Sequence, residues 1–188
     1  NRYCHFFYPE IKKFIGKEQI KKIEKEMIAK EPKIFDNFDQ NRHKGENESY
    51  ICHLIRQDSV EEFISHVNRS NIQLSSTIEP SIFETNSFLI KNNDISLIEY
   101  AAFFGSIEIF QYLKMNQVEL KPSLWLYAIH SKNAELIHLL ESYEVKPPNN
   151  DYEKCYIESI KCHHNDIADY IEMNLLPQNK KSEDVISS

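Results

Sequence analysis

The chain has 188 residues, of which 41% are hydrophobic, with a net charge of -7 and only 3 glycines. That length and apolar share suffice for one sizeable core or one short solenoid, and the acidic balance argues against a general nucleic-acid partner, which needs a basic stripe to neutralise phosphates. Patterns of the form GxxxxGK[ST], GxGxxG and GxSxG are absent, which removes the usual handles of nucleotide-binding proteins and serine hydrolases.

In chain order, residues 1–44 read as an N-terminal helical segment and cap of a helical stack. Ile11, Phe14 and Ile15, then Ile20, Ile23 and Met27, recur at helical spacing, interrupted at Gly16 and stopped by Pro32. Lys12, Lys13, Lys21 and Lys22 lie among Glu18, Glu24 and Glu26, the pattern of a solvated helix face. Residues 41–49 are polar and predict a linker.

A repeat then begins. Tyr50, Ile51, Leu54 and Ile55 form a stripe with spacing i, i+1, i+4, i+5, and the same stripe returns as Leu97, Ile98, Ala101 and Ala102, as Leu124, Trp125, Ala128 and Ile129, and as Cys155, Tyr156, Ser159 and Ile160. Each stripe is followed by a second: Phe63, Ile64 and Val67; Ile109, Phe110 and Leu113; Leu136, Ile137 and Leu140; Ile167, Ala168 and Ile171. From Ala101 to Ala128 the offset is 27 residues, and from Leu140 to Ile171 it is 31. The spacing predicts antiparallel helix pairs near 50–67, 96–114, 123–141 and 154–172, within a repeat domain spanning 45–176. Ala101, Ala128 and Ser159 are small where neighbouring helices must approach closely.

Ser59 with Glu62 has the form of a capping box, and Ser106 and Asn133 stand where N-cap oxygens are needed. Glu61, Glu108, Glu135 and Asp166 fall in the first turn of each second helix, where the helix dipole favours carboxylates, so they read as structural. Residues 68–95 form an insertion containing Pro80, whose structure the sequence leaves open, with a degenerate helix expected around Ser81 to Ile90. Residues 177–188 lack apolar content and read as a disordered tail.

The run Ser96-Leu97-Ile98-Glu99-Tyr100-Ala101-Ala102, with Gly105 and Ser106 after it, resembles the Thr-Pro-Leu-His-x-Ala-Ala-x-x-Gly-His core of the ankyrin repeat with its spacings preserved. Ser123 to Asn133 keeps the frame with fewer identities, and Lys154 to His164 keeps mainly the periodicity. The chain is thus similar to the divergent ankyrin-repeat proteins of unicellular parasites that carry an ankyrin-like domain of unknown function. It departs from the pattern in lacking the Thr-Pro pair, in its short repeats, and in placing Lys132 and His163 where a glycine would take a positive φ.

This resemblance implies an all-α fold, a short solenoid of stacked helix-turn-helix units, and a non-catalytic protein-protein interaction module working through the concave face of the stack. In that frame Phe103 and Phe104, His130 and Ser131, and Lys161 and Cys162 line the groove, although one of each pair is equally open to packing inward. Tyr127 could face either way, and Trp125, on the apolar stripe, is expected in the core. The alternative is an adaptor or structural segment of a larger protein whose activity lies outside this chain.

An enzyme reading finds no convergent polar pocket in the sequence, so no catalytic residue and no cofactor is expected. Cys155, Cys162, His163 and His164 are the strongest metal candidates along the chain, but their spacing suits no zinc motif, and no stoichiometric zinc is expected. Cys162 beside His163 makes no nucleophile pair either, since adjacent residues at a helix end point apart. No apolar run approaches the ~18 residues that span a bilayer, and no signal peptide pattern is seen at the start. The expectation is a monomeric cytoplasmic protein with a protein partner, no nucleic acid and no membrane. The first residue, Asn1, is not a methionine, which suggests a fragment of a longer chain.

Overall fold

The computed structural model describes residues 2–92 and 94–177. Nearly all of the tail expected to be disordered, 178–188, lies outside the described residues. In chain order the α-helices are α1 (Arg2–Phe6), α2 (Tyr8–Ile11), α3 (Lys17–Lys30), α4 (Phe38–Lys44), α5 (Tyr50–Arg56), α6 (Val60–Ser70) and α7 (Ser87–Lys91). They continue with α8 (Leu97–Phe104), α9 (Ile107–Met115), α10 (Leu124–His130), α11 (Ala134–Ser142), α12 (Tyr152–Lys161) and α13 (Asn165–Asn174). Among the described residues there is no β-strand, only a lone antiparallel bridge between Thr77 and Ser96, so the protein is all-α. No helix there is long and apolar enough to cross a membrane.

Two compact units divide the chain: residues 1–53 with 79–95, and residues 54–78 with 96–188. In the first, Tyr8, Met27, Ile34, Phe38 and Phe83 form a buried core against which Ile20, Ile23 and Ile82 pack. Helix α3 ends at Lys30 because Glu31 precedes Pro32, and the proline ring forces it into extended backbone, with φ -141° and ψ 101°. The segment expected to be a polar linker instead continues α4 as far as Lys44, closed by Gly45 at φ 67°. The Gly45 carbonyl accepts bonds from both the N–H and the hydroxyl of Thr85 at 2.9 and 2.8 Å. Phe83 and Thr85 therefore tie the insertion into this unit. Its helix is shorter than expected, Ser87–Lys91, started by the Asn86 side chain accepting from the N–H groups of Phe88 and Leu89.

In the second unit the repeat is written in the backbone. Asp58, Gly105, Lys132 and His163, at equivalent positions after α5, α8, α10 and α12, all adopt left-handed conformations with φ between 50° and 72°. Only one of the four is glycine, so Lys132 and His163 keep the tight turn and bear its strain. After α6, α9 and α11 a second left-handed residue follows, at Asn71, Gln117 and Glu144. The next N–H reaches back five residues each time: Ile72 to Val67, Val118 to Leu113, Val145 to Leu140, at 2.9 to 3.1 Å. Leu176 to Ile171 repeats that bond after α13. This is the Schellman closure, with an apolar residue folding over the helix end.

The stripes of the second and third pairs face inward as their spacing requires, whereas in the first stripe Tyr50 is 53% exposed. Leu97, Ile98, Ala101 and Ala102, Leu124, Trp125, Ala128 and Ile129, and Ile109, Phe110 and Leu113 are all buried. Helix α10 packs against both α8 and α12, while α9, α11 and α13 pack on α8, α10 and α12 respectively. In α12 the fourth stripe residue, Ile160, is 46% exposed. Its equivalents Ala102 and Ile129 are covered by the following pair, and the described residues hold no pair beyond α13.

Capping differs from the expected scheme at two positions. Asn133 does accept from the N–H of Glu135 at 3.0 Å. Ser59 makes no side-chain cap bond, and the Ser106 hydroxyl turns back to donate to the Ile55 carbonyl at 2.5 Å. The start of α9 is capped from the preceding pair instead, the Asp58 carboxylate accepting from the N–H groups of Glu108 and Ile109 at 3.0 Å each. Because this carboxylate satisfies two orphan donors beside the positive helix end, Asp58→Ala should destabilise the protein by about 1 to 2 kcal/mol, and Asp58→Asn by less. Urea unfolding followed by circular dichroism measures both, and equal stability of Asp58→Ala and wild type would contradict the shared cap.

Candidate functional site

The residues at the ends of the first helices form a continuous row across four successive pairs. Arg56, Phe103, His130 and Lys161 are equivalent by the repeat offsets, as are Gln57, Phe104, Ser131 and Cys162. The Arg56 guanidinium lies over the Phe104 ring, 5.9 Å from its centroid, and donates to the Tyr100 hydroxyl at 2.8 Å. Phe104 meets Phe103 edge to face at 5.0 Å. Phe103 in turn stacks on the His130 imidazole, with centroids 5.2 Å apart and planes 25° from parallel. From His130 the row passes to Glu158 and Cys162 on the next pair, and Lys161 pairs with Glu158 at 3.2 Å.

Of the residues expected on this face, Phe103 and Tyr127 are buried, at 8% and 5% exposure. Phe104, His130, Ser131 and Cys162 are half-buried, and Lys161 is exposed. One residue of the aromatic pair thus packs inward and the other reaches the surface. Tyr127 lies under the surface, where burial and then the Glu99 charge hold its hydroxyl well above the usual range. Trp125 is fully buried, its indole N–H donating to the Val145 carbonyl at 2.7 Å. The Ser131 hydroxyl donates to the Ala128 carbonyl at 2.6 Å and accepts from the Asn133 N–H at 3.0 Å, so it shapes the turn as well as lining the row.

The donors singled out along the chain separate in space. Cys155 is 1% exposed in the core, and burial pushes its thiol up to about 12. His163 is an exposed left-handed turn residue, and the His164 Nδ1 is 2.8 Å from the Ile129 carbonyl, bonding to the same repeat position that Ser106 reaches at Ile55. Cys162 alone of that set turns to the row. Its sulfur stands 3.5 Å from His130 Nδ1 and 3.8 Å from Nε2, while Nε2 is 3.1 Å from Glu158 Oε1. Glu158 has no signal in the sequence, since it lies 28 residues from His130 and only the packing of α12 against α10 brings them together.

Electrostatically this cluster is not primed for nucleophilic attack. Burial and the Glu158 charge raise the Cys162 thiol, and the residue closes α12 at its C-terminal end, where the helix dipole opposes a thiolate. Burial, which favours the neutral imidazole, lowers His130, and Glu158 pulls the other way. Elsewhere, the first unit holds a cleft of about 530 Å³ lined by residues that include His5, Met27, Ile34, Asn47 and Ser81. Its wall mixes apolar and polar side chains, and there the Ser81 hydroxyl donates to the Glu48 carboxylate.

No protein-family model matches the chain, and no curated protein and no solved structure matches it either.

Proposed function

We propose that residues 54–177 act as a non-catalytic protein-binding module, a short stack of divergent ankyrin-like helix pairs that presents the row from Arg56 to Cys162 to a protein partner. One observation carries this reading: equivalent positions of four successive pairs are joined side chain to side chain, by ring stacking, cation-π contact and hydrogen bonds, into one surface. Repeated Schellman turns and bonds between pairs hold the backbone beneath it. A surface held this way loses little ordering entropy when a partner docks, and its rings and cations are the side-chain types that dominate interface energetics. A row built this way suits docking better than turnover, because burial and the Glu158 charge raise its thiol and so work against a thiolate nucleophile.

The test compares proteins captured from native cell extract by the full chain and by two variants. Phe104→Ala combined with Lys161→Glu alters the exposed part of the row, whereas truncating buried Phe103 would endanger folding. Met115→Ala, at an 82% exposed site on α9, is the control. Loss of a hot-spot aromatic is worth ~2 kcal/mol, so the row variant should bind the captured partner roughly thirtyfold or more weakly with its helicity intact. Unchanged affinity of the row variant, or a loss confined to the control, would overturn the reading.

A further inference from the structure

We propose that His130, Glu158 and Cys162 form a binding site for a zinc-class divalent cation, bridging the third and fourth helix pairs. Each residue offers one ligand atom, and these atoms all lie within 4.8 Å of one another. With ordinary zinc bond lengths, two ligands of a tetrahedral ion are ~3.3 Å apart for nitrogen and oxygen and ~3.5 Å for nitrogen and sulfur. The distances from His130 Nε2 are 3.1 Å to Glu158 Oε1 and 3.8 Å to Cys162 Sγ. Two edges of a tetrahedral face are therefore close to the lengths an ion requires, and the third, from Glu158 Oε1 to Cys162 Sγ, lies within 4.8 Å.

The surroundings orient the donors. Phe103 stacks on the imidazole and holds its plane, while Lys161 binds the other carboxylate oxygen of Glu158 and leaves Oε1 toward His130. A bound cation would displace the Cys162 proton to solvent as the metal–sulfur bond forms. Mixed nitrogen, sulfur and oxygen donors select zinc or cobalt(II) over magnesium and calcium, which take oxygen ligands. Three protein donors leave one tetrahedral position for water. This site is not one the sequence suggests, because its three donors come from two helices and only Cys162 belongs to the cysteine and histidine run near the C-terminal end.

The experiment uses the reduced, metal-free full chain, titrated calorimetrically with Zn²⁺ and spectroscopically with Co²⁺. Expected results are one ion per chain, proton release, a thiolate-to-cobalt charge-transfer band, and no binding of Mg²⁺ or Ca²⁺. Cys162→Ser should abolish the charge-transfer band, and His130→Ala and Glu158→Gln should each weaken binding more than about tenfold. Cys4→Ser and His138→Ala should leave binding unchanged. Should His130→Ala fail to fold by circular dichroism, the near-isosteric Cys162→Ser and Glu158→Gln decide the question. Absence of saturable Zn²⁺ binding, or binding that survives Cys162→Ser and Glu158→Gln, would overturn the site and leave the cluster as a hydrogen-bonded link between helix pairs.

Discussion

Replacing Trp125 by alanine should destabilise the protein by about 3 to 5 kcal/mol, the range for truncating a fully buried large aromatic. The ring is entirely covered and meets Tyr152 edge to face at 5.1 Å, so the substitution opens a cavity between α10 and the start of α12. It also removes the donor to the Val145 carbonyl and leaves that acceptor at the apolar end of α11. For a chain of this size the melting temperature should fall by roughly 6 to 20 °C. Trp125→Phe keeps most of the apolar volume and loses only the indole bond and part of the packing, so its loss should be clearly smaller. Thermal and urea unfolding of the three proteins provides the check. A loss below about 1 kcal/mol for Trp125→Ala would mean that this residue does not anchor the core.

The second large effect is overpacking. Ala101 and Ala128 are both fully buried on helices that pack against each other, α8 and α10, and α10 is pressed on its other side by α12. There is no room for three more heavy atoms without displacing a helix, so Ala101→Leu and Ala128→Leu should each cost roughly 1 to 3 kcal/mol. Since both sites serve the same helix contact, the double variant should not show the simple sum. Ser159→Ala is the matched control, because that hydroxyl only bonds back to the Tyr156 carbonyl of its own helix and the change adds no volume. Melting curves that are unaltered by both leucine substitutions would show that the small residues are not set at a close helix approach.

What could be read from residues alone came from local rules. Stripes such as Leu97, Ile98, Ala101 and Ala102 announced helices because only a 3.6-residue period puts them on one face, and those residues are buried as that period demands. The interruption at Gly16, the stop at Pro32 and the cap at Asn133 were legible for the same reason, since each depends on one residue's own geometry or side chain. Phe104, His130, Ser131, Lys161 and Cys162 could be placed at the ends of the first helices from the repeat frame.

Tertiary structure decided everything that depends on chain segments meeting. Residues 79–95 join the first unit because Phe83 fills a core shared with Tyr8 and Phe38, a fit that no local pattern encodes. Asp58, rather than Ser106, caps α9 because the preceding turn delivers its carboxylate to two N–H groups. Lys132 and His163 accept left-handed backbone because packing of the adjoining helices outweighs the strain at one residue. Above all, the cluster of His130, Glu158 and Cys162 exists only because α12 lies against α10, since hydrogen-bond and metal-ligand distances are set by helix packing and leave no trace in sequence spacing.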